Sequence, residues 1–115
     1  MSEQRRARRK HVADVIEVGN AITGASMGRI GNLSRTGLML ISHEPVREDA
    51  LYQLSFRLAG ADGVVRMLEM GVHEQWSEPA AVPGQYWAGF RIIALGEDDA
   101  VVLDAWLADP NRASL

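Results

Sequence analysis

The stretch "ALYQLSFRLA", residues 50–59, alternates along most of its length. Leu51, Gln53, Ser55 and Arg57 fall on one face, and Tyr52, Leu54, Phe56 and Leu58 on the other. A period of two is that of a strand with one face buried. "GADG" follows and reads as a hairpin turn in which Gly63 takes a positive φ. "VVRMLEMGVHEQW" then supplies the partner strand. An antiparallel hairpin is therefore the fixed point of the chain, and the remaining segments must cover its apolar face.

Those segments read mostly as further strands. "HVADVIEV" alternates imperfectly and is rich in β-branched residues. "AITGASMGRIGNL" reads as extended, interrupted by Gly24, Gly28 and Gly31, and "GLMLISH" and "YWAGFRIIAL" are apolar runs of strand length. "SEPAAVPG" is a loop by its two prolines and its glycine. Six strand-like segments joined by short turns argue for a small β-barrel or sandwich. The end of the chain differs. "GEDDAVVLDAWLADP" spaces Val102, Leu103, Trp106 and Leu107 as one face of a helix, puts acids in its first turn and stops at Pro110. The resulting organisation is a basic arm over residues 1–10, one folded unit over 11–110 and a short tail over 111–115.

Charge is divided unevenly. "QRRARRKH" holds five of the twelve Lys and Arg, whereas after Lys10 there are seven basic residues and fourteen acids. A protein that tracks a long phosphate backbone needs basic charge spread over many phosphates. Here the basic charge is compact and the body opposes it, which favours a small anion. Arg outnumbers Lys eleven to one, and its planar fork suits phosphate and guanine edges. A length of 115 residues with 47% apolar content is enough for one core. Without cysteine there is no disulfide framework or thiolate metal site. No apolar run reaches membrane-spanning length. Asp14 and Glu17 stand where a signal peptide would be apolar, so a cytoplasmic location is expected.

The residues give no reason to expect an enzyme, a metal or a cofactor. His11, His43 and His73 are isolated, without ligand spacing, and no G-x-S-x-G elbow occurs. Gly24, Gly28 and Gly31 precede a strand-like run and not a helix that would hold phosphate, so they are expected at bends or bulges of a curved sheet.

Two motifs remain. Arg5 and Arg9 form R-x-x-x-R, and in "GNLSRTGLML" Asn32, Ser34 and Gly37 form N-x-S-x-x-G between two strands. Alone, the second is a polar turn. In this order and context the pair resembles the PilZ family, bacterial receptor domains for cyclic di-GMP. The resemblance extends over nearly the whole chain, including "GFRI" with Gly89, Phe90 and Ile92, and the terminal helix. Asn32 stands where many members have Asp.

The resemblance implies a six-stranded antiparallel β-barrel with a flexible basic N-terminal arm and a C-terminal α-helix. It also implies roles. Arg5 and Arg9 would bind phosphate oxygens and the guanine O6/N7 edge, with Arg6 or Arg8 sharing phosphate contacts. Asn32 would meet a guanine edge through its one amide oxygen. Ser34 would bond phosphate or base, and Gly37 would let the backbone turn and approach the ligand. Trp76 either offers a surface for a base or packs in the barrel. The implied protein binds cyclic di-GMP without a further cofactor and signals to a protein effector in motility, pilus or biofilm regulation. Two other readings are a PilZ-like interaction module that has lost its ligand and a small nucleic-acid-binding barrel. The last lacks a strand face that interleaves aromatic and basic residues.

Overall fold

The computed structural model describes residues 10–12, 15–60, 62–109 and 113–114. In chain order the elements are β1 (Lys10–Val12), β2 (Glu17–Asn20), β3 (Ser26–Leu33), β4 (Gly37–Ser42), β5 (Leu51–Ala59), β6 (Val65–Pro79), β7 (Tyr86–Leu95), the helix α1 (Glu97–Ala108) and β8 (Ala113–Ser114). Neighbouring strands run β2-β5-β6-β7-β4-β3, and a β2–β3 pairing closes the ring. The fold is thus a closed six-stranded antiparallel β-barrel with one C-terminal helix, as expected. β1 and β2 lie end to end along the same strand, β3, and β8 adds to β1.

The hairpin expected from the alternation along residues 51–58 is present in full. β5 and β6 pair without a break from Leu51↔His73 to Ala59↔Val65. Leu54, Phe56 and Leu58 are buried, while Arg57 is exposed. Gly63 adopts φ +80 in the turn. The Gly63 N–H donates to the Gly60 carbonyl at 2.9 Å. The helix closes one side of the barrel by burying Leu103 and Trp106, with Val102 and Leu107 packed beside them.

Three boundaries differ from expectation. Residues 21–25 form a turn and not strand, because the Asn20 side chain accepts the Ile22 and Thr23 N–H groups at 2.9 and 3.0 Å. β6 runs on through Ser77 to Pro79, read from sequence as loop. The cause is tertiary: Ser77, Glu78 and Pro79 pair with Ala88, Trp87 and Tyr86. Ala113–Ser114, in the stretch read as tail, pair with Val12 and His11.

Candidate functional site

The N-x-S-x-x-G stretch spans the end of β3 and the start of β4. Ser34 is 1% exposed and its hydroxyl organises the turn. It accepts the Thr36 and Gly37 N–H groups at 3.3 and 3.1 Å, and donates to the Gly37 carbonyl at 3.1 Å. The Ser34 N–H meets the same carbonyl at 2.8 Å, and the Ile92 N–H of β7 bonds the Thr36 carbonyl at 2.8 Å. The turn is therefore built from Ser34 outward and fastened to β7.

Gly37 is needed on the inner side of this turn. A Cβ there would lie 2.6 Å from the Phe90 carbonyl oxygen. The close approach that the missing side chain permits is to the β7 backbone. Arg35, between Ser34 and Gly37, reaches the helix: its Nε lies 3.0 Å from Asp104 Oδ1.

Asn32 owes its orientation to a bulge. The β3–β4 register shifts between Ile30 and Asn32, around Gly31. Gly28 and Ile30 are buried, but after the extra residue Leu33 is buried and Asn32 is half-buried. One residue more turns a side chain to the other face of a strand. The Asn32 Nδ2 lies 3.9 Å from Met39 Sδ on the neighbouring strand.

From Asn32 a row of paired positions crosses the barrel: Asn32↔Met39, Met39↔Gly89 and Gly89↔Trp76. Three strand spacings of about 4.8 Å separate its ends. Trp76 is 42% exposed, so it does not pack in the barrel interior. Its indole lies against Gly89, where an added Cβ would fall among the Nε1, Cε2 and Cδ1 atoms. A second indole joins this strip unforeseen. Trp87 pairs with Ile41, and its Cζ3 lies 3.5 Å from where a Gly31 Cβ would be. Arg91 stands exposed beside the strip, paired with Gly37.

The chain that follows the arginine motif joins the sheet at this face. Arg5, Arg6, Arg8 and Arg9 lie outside the described residues. Lys10, which follows Arg9, pairs with Leu33, and His11 pairs with Asn32. The chain leaving Arg9 thus enters the sheet beside Asn32, next to the Ser34 turn.

A second polar cluster was not anticipated from sequence. Glu74 is 3% exposed. Its carboxylate accepts the Asp49 N–H at 2.7 Å and the Ser77 hydroxyl at 2.5 Å. Asp49 has φ +59, a left-handed conformation that costs most residues about 1 kcal/mol. Its own carboxylate lies 2.6 Å from His73 Nε2, and Gln75 Nε2 lies 2.9 Å from His73 Nδ1. The cluster fastens the β4–β5 loop to β6. Among the described residues no group of three or more His, Asp or Glu is arranged to hold a metal. No helix there is long and apolar enough to cross a membrane.

These features define a small closed antiparallel barrel whose outer face carries a polar turn beside an indole-lined strip. A solved structure of the same fold is the Bacillus subtilis inhibitor of motility (MotI/DgrA), with a TM-score of 0.68 and 11% sequence identity. The superposition covers 85% of this chain and 47% of that one, so this chain spans about half of that protein's length. No family model and no curated protein sequence matches this chain.

Proposed function

We propose that this chain is a PilZ-type receptor for cyclic di-GMP that acts on a partner protein by binding and not by catalysis. The observation that carries the reading is the β1 register. Lys10↔Leu33 and His11↔Asn32 bring the chain that follows R-x-x-x-R alongside the N-x-S-x-x-G strand. Two motifs distant in sequence would then serve one ligand.

In this reading Arg5 and Arg9 take the phosphates and a guanine O6/N7 edge, with Arg6 or Arg8 sharing the charge. Asn32 accepts from one guanine N–H, and exposed Trp76 offers a stacking surface. Ser34 and Gly37 act through the turn, whose hydrogen bonds and close approach to Phe90 hold Asn32 and Arg35 in place. The likeness to a protein described as an inhibitor of motility suits an adaptor in motility control, working in the cytoplasm on an effector still to be identified. No further cofactor is required.

The test is calorimetric titration with cyclic di-GMP, with mixed-sequence single-stranded DNA as comparison. Saturable binding of the dinucleotide, tighter than the polymer, is the expected result. Tighter polymer binding with a steep salt slope would replace this reading with the nucleic-acid one. Binding of neither would leave a ligand-independent interaction module.

A further inference from the structure

The barrel is closed by hydrogen bonds over only part of one seam. β2 meets β5 at Gly19↔Ser55 and Asn20↔Leu54, and no further pair follows. Continued, that register would set Glu17 opposite Arg57 and Val15 opposite Ala59. Instead the strands part, and the space between them is a cleft of about 410 Å³ lined by Glu17, Gly19, Phe56, Arg57 and Met67. A smaller cleft of about 190 Å³ continues it past Leu58, Ala59 and Val65 to Trp106.

The backbone of β5 along this cleft has a definite orientation. The Ala21 N–H bonds the Gln53 carbonyl at 2.8 Å, so Gln53 turns its peptide groups toward β2. β5 pairs with β6 without a bulge over its whole length. In an unbroken antiparallel strand alternate residues point their N–H and C=O to opposite sides. Ser55, Arg57 and Ala59 therefore share the orientation of Gln53, while Leu54, Phe56 and Leu58 turn to β6. Ser55 is met by Gly19. Among the described residues, nothing pairs with the N–H and C=O groups of Arg57 and Ala59 on the cleft side. A sheet edge left in this way is a template for another strand.

We propose that this cleft is a docking site for an extended segment of a partner protein, which adds as a strand to β5 opposite Arg57 and Ala59. Unpaired N–H and C=O groups spaced two residues apart along a strand edge match the backbone of an extended segment. Side chains narrow the partner further. Exposed Met67 and Val65 on β6 flank the edge, which selects apolar residues. Arg57 is exposed and makes no ion pair with a described residue, which selects an acidic residue opposite it, as Glu17 would be in the continued register. A second copy of this chain, joined β5 to β5, would set Arg57 near Arg57 and is disfavoured. The inference is independent of the cyclic di-GMP reading, and its test uses no nucleotide.

The experiment is amide hydrogen exchange by NMR on the full chain, alone and with a synthetic peptide of sequence VIEVGN, the chain's own residues 15–20, as probe. Alone, the Arg57 and Ala59 amides are expected to exchange at least about a hundredfold faster than those of Leu54, Phe56 and Leu58. Equal protection would show a closed seam and overturn the proposal. With peptide at millimolar concentration the Arg57 and Ala59 resonances should shift and gain protection. No change there would also overturn it. Ala59→Pro removes one edge N–H without touching a β5–β6 bond, and should weaken the peptide about tenfold. Arg57→Glu, at an exposed position, should weaken it while leaving the fold intact. Unchanged affinity in both variants would exclude this edge as the docking site.

Discussion

Gly37 separates two accounts of the same motif. A glycine at a ligand site can serve the ligand, by letting it approach the backbone, or the fold, by letting another strand approach. The structure gives the second a number: a Cβ on Gly37 would lie 2.6 Å from the Phe90 carbonyl oxygen, where ordinary contact begins at 3.4 Å. In Gly37→Ala, β4 and β7 must part by roughly 0.8 Å between the buried Gly37 and Phe90, and protein interiors yield little. Overpacking of this kind costs about 1–3 kcal/mol. Gly37 does not need a positive φ, so the alanine recovers about 0.4–1 kcal/mol by restricting the unfolded chain. The net loss is about 1–2 kcal/mol. A chain of this length loses about 4 °C in Tm per kcal/mol, so the midpoint should fall by roughly 4–8 °C. Thermal denaturation followed by circular dichroism measures it. The neighbouring bond from the Ile92 N–H to the Thr36 carbonyl should loosen too, seen as faster exchange at Ile92. An unchanged midpoint together with lost cyclic di-GMP affinity would refute the reasoning and put the missing Cβ on the ligand side.

Four further outcomes are expected. Arg9→Ala should weaken cyclic di-GMP by roughly tenfold to a hundredfold or more, since charge-assisted hydrogen bonds contribute about 1.5–3 kcal/mol each; wild-type affinity by calorimetry would remove Arg9 from the site. Adding the dinucleotide should raise amide protection over residues 2–10, because two phosphates neutralise an arm whose basic residues repel one another; equal exchange in both states would reject an arm that clamps the ligand. Trp76→Ala should weaken binding about fivefold to a hundredfold if a base stacks there, and unchanged affinity would leave the indole as cover for Gly89 only. Glu74→Ala strands the Asp49 N–H and the Ser77 hydroxyl, and should cost about 1–3 kcal/mol in urea denaturation; an unshifted midpoint would mean that water replaces the carboxylate.

The fold was legible where one local rule decided the outcome. Alternation along 51–58 fixed which side chains of β5 turn inward, and Gly63 announced the hairpin. Legibility failed where local and tertiary signals disagreed. Pro79 lacks an N–H and belongs to a proline-rich stretch, so it reads as loop. It nevertheless ends a strand, because β7 runs alongside as far as Tyr86. The turn at 21–25 did carry a local signal, in the ability of Asn20 to accept two following N–H groups. The β-branched residues around it read as strand and masked that signal.

The candidate site shows the same division more sharply. Ser34 and Gly37 stand out in sequence because a turn needs their chemistry, but the partner that makes Gly37 necessary, the Phe90 backbone, comes from a distant strand. Arg35 and Asp104 carry no mutual signal at all, since only the packing of α1 brings them together. Glu74 was within reach: Leu68, Met70, Val72 and Glu74 share one parity along β6, and all four are buried. Strict parity puts a carboxylate inside the barrel end and demands donors for it. The same rule fails for Asn32. Gly28, Ile30 and Asn32 share a parity too, and without the extra residue at Gly31 the amide would point into the core with Ile30. The bulge is what separates a position buried with Ile30 from one turned to the other face of the strand. Glycine at 31 marks where a bulge is cheap, but only the pairing with β4 settles that one forms there. The inward or outward sense of a polar strand residue is thus readable from parity up to the first bulge. Beyond it, the sense is fixed by the register of the neighbouring strand, which the sequence of the strand alone does not contain.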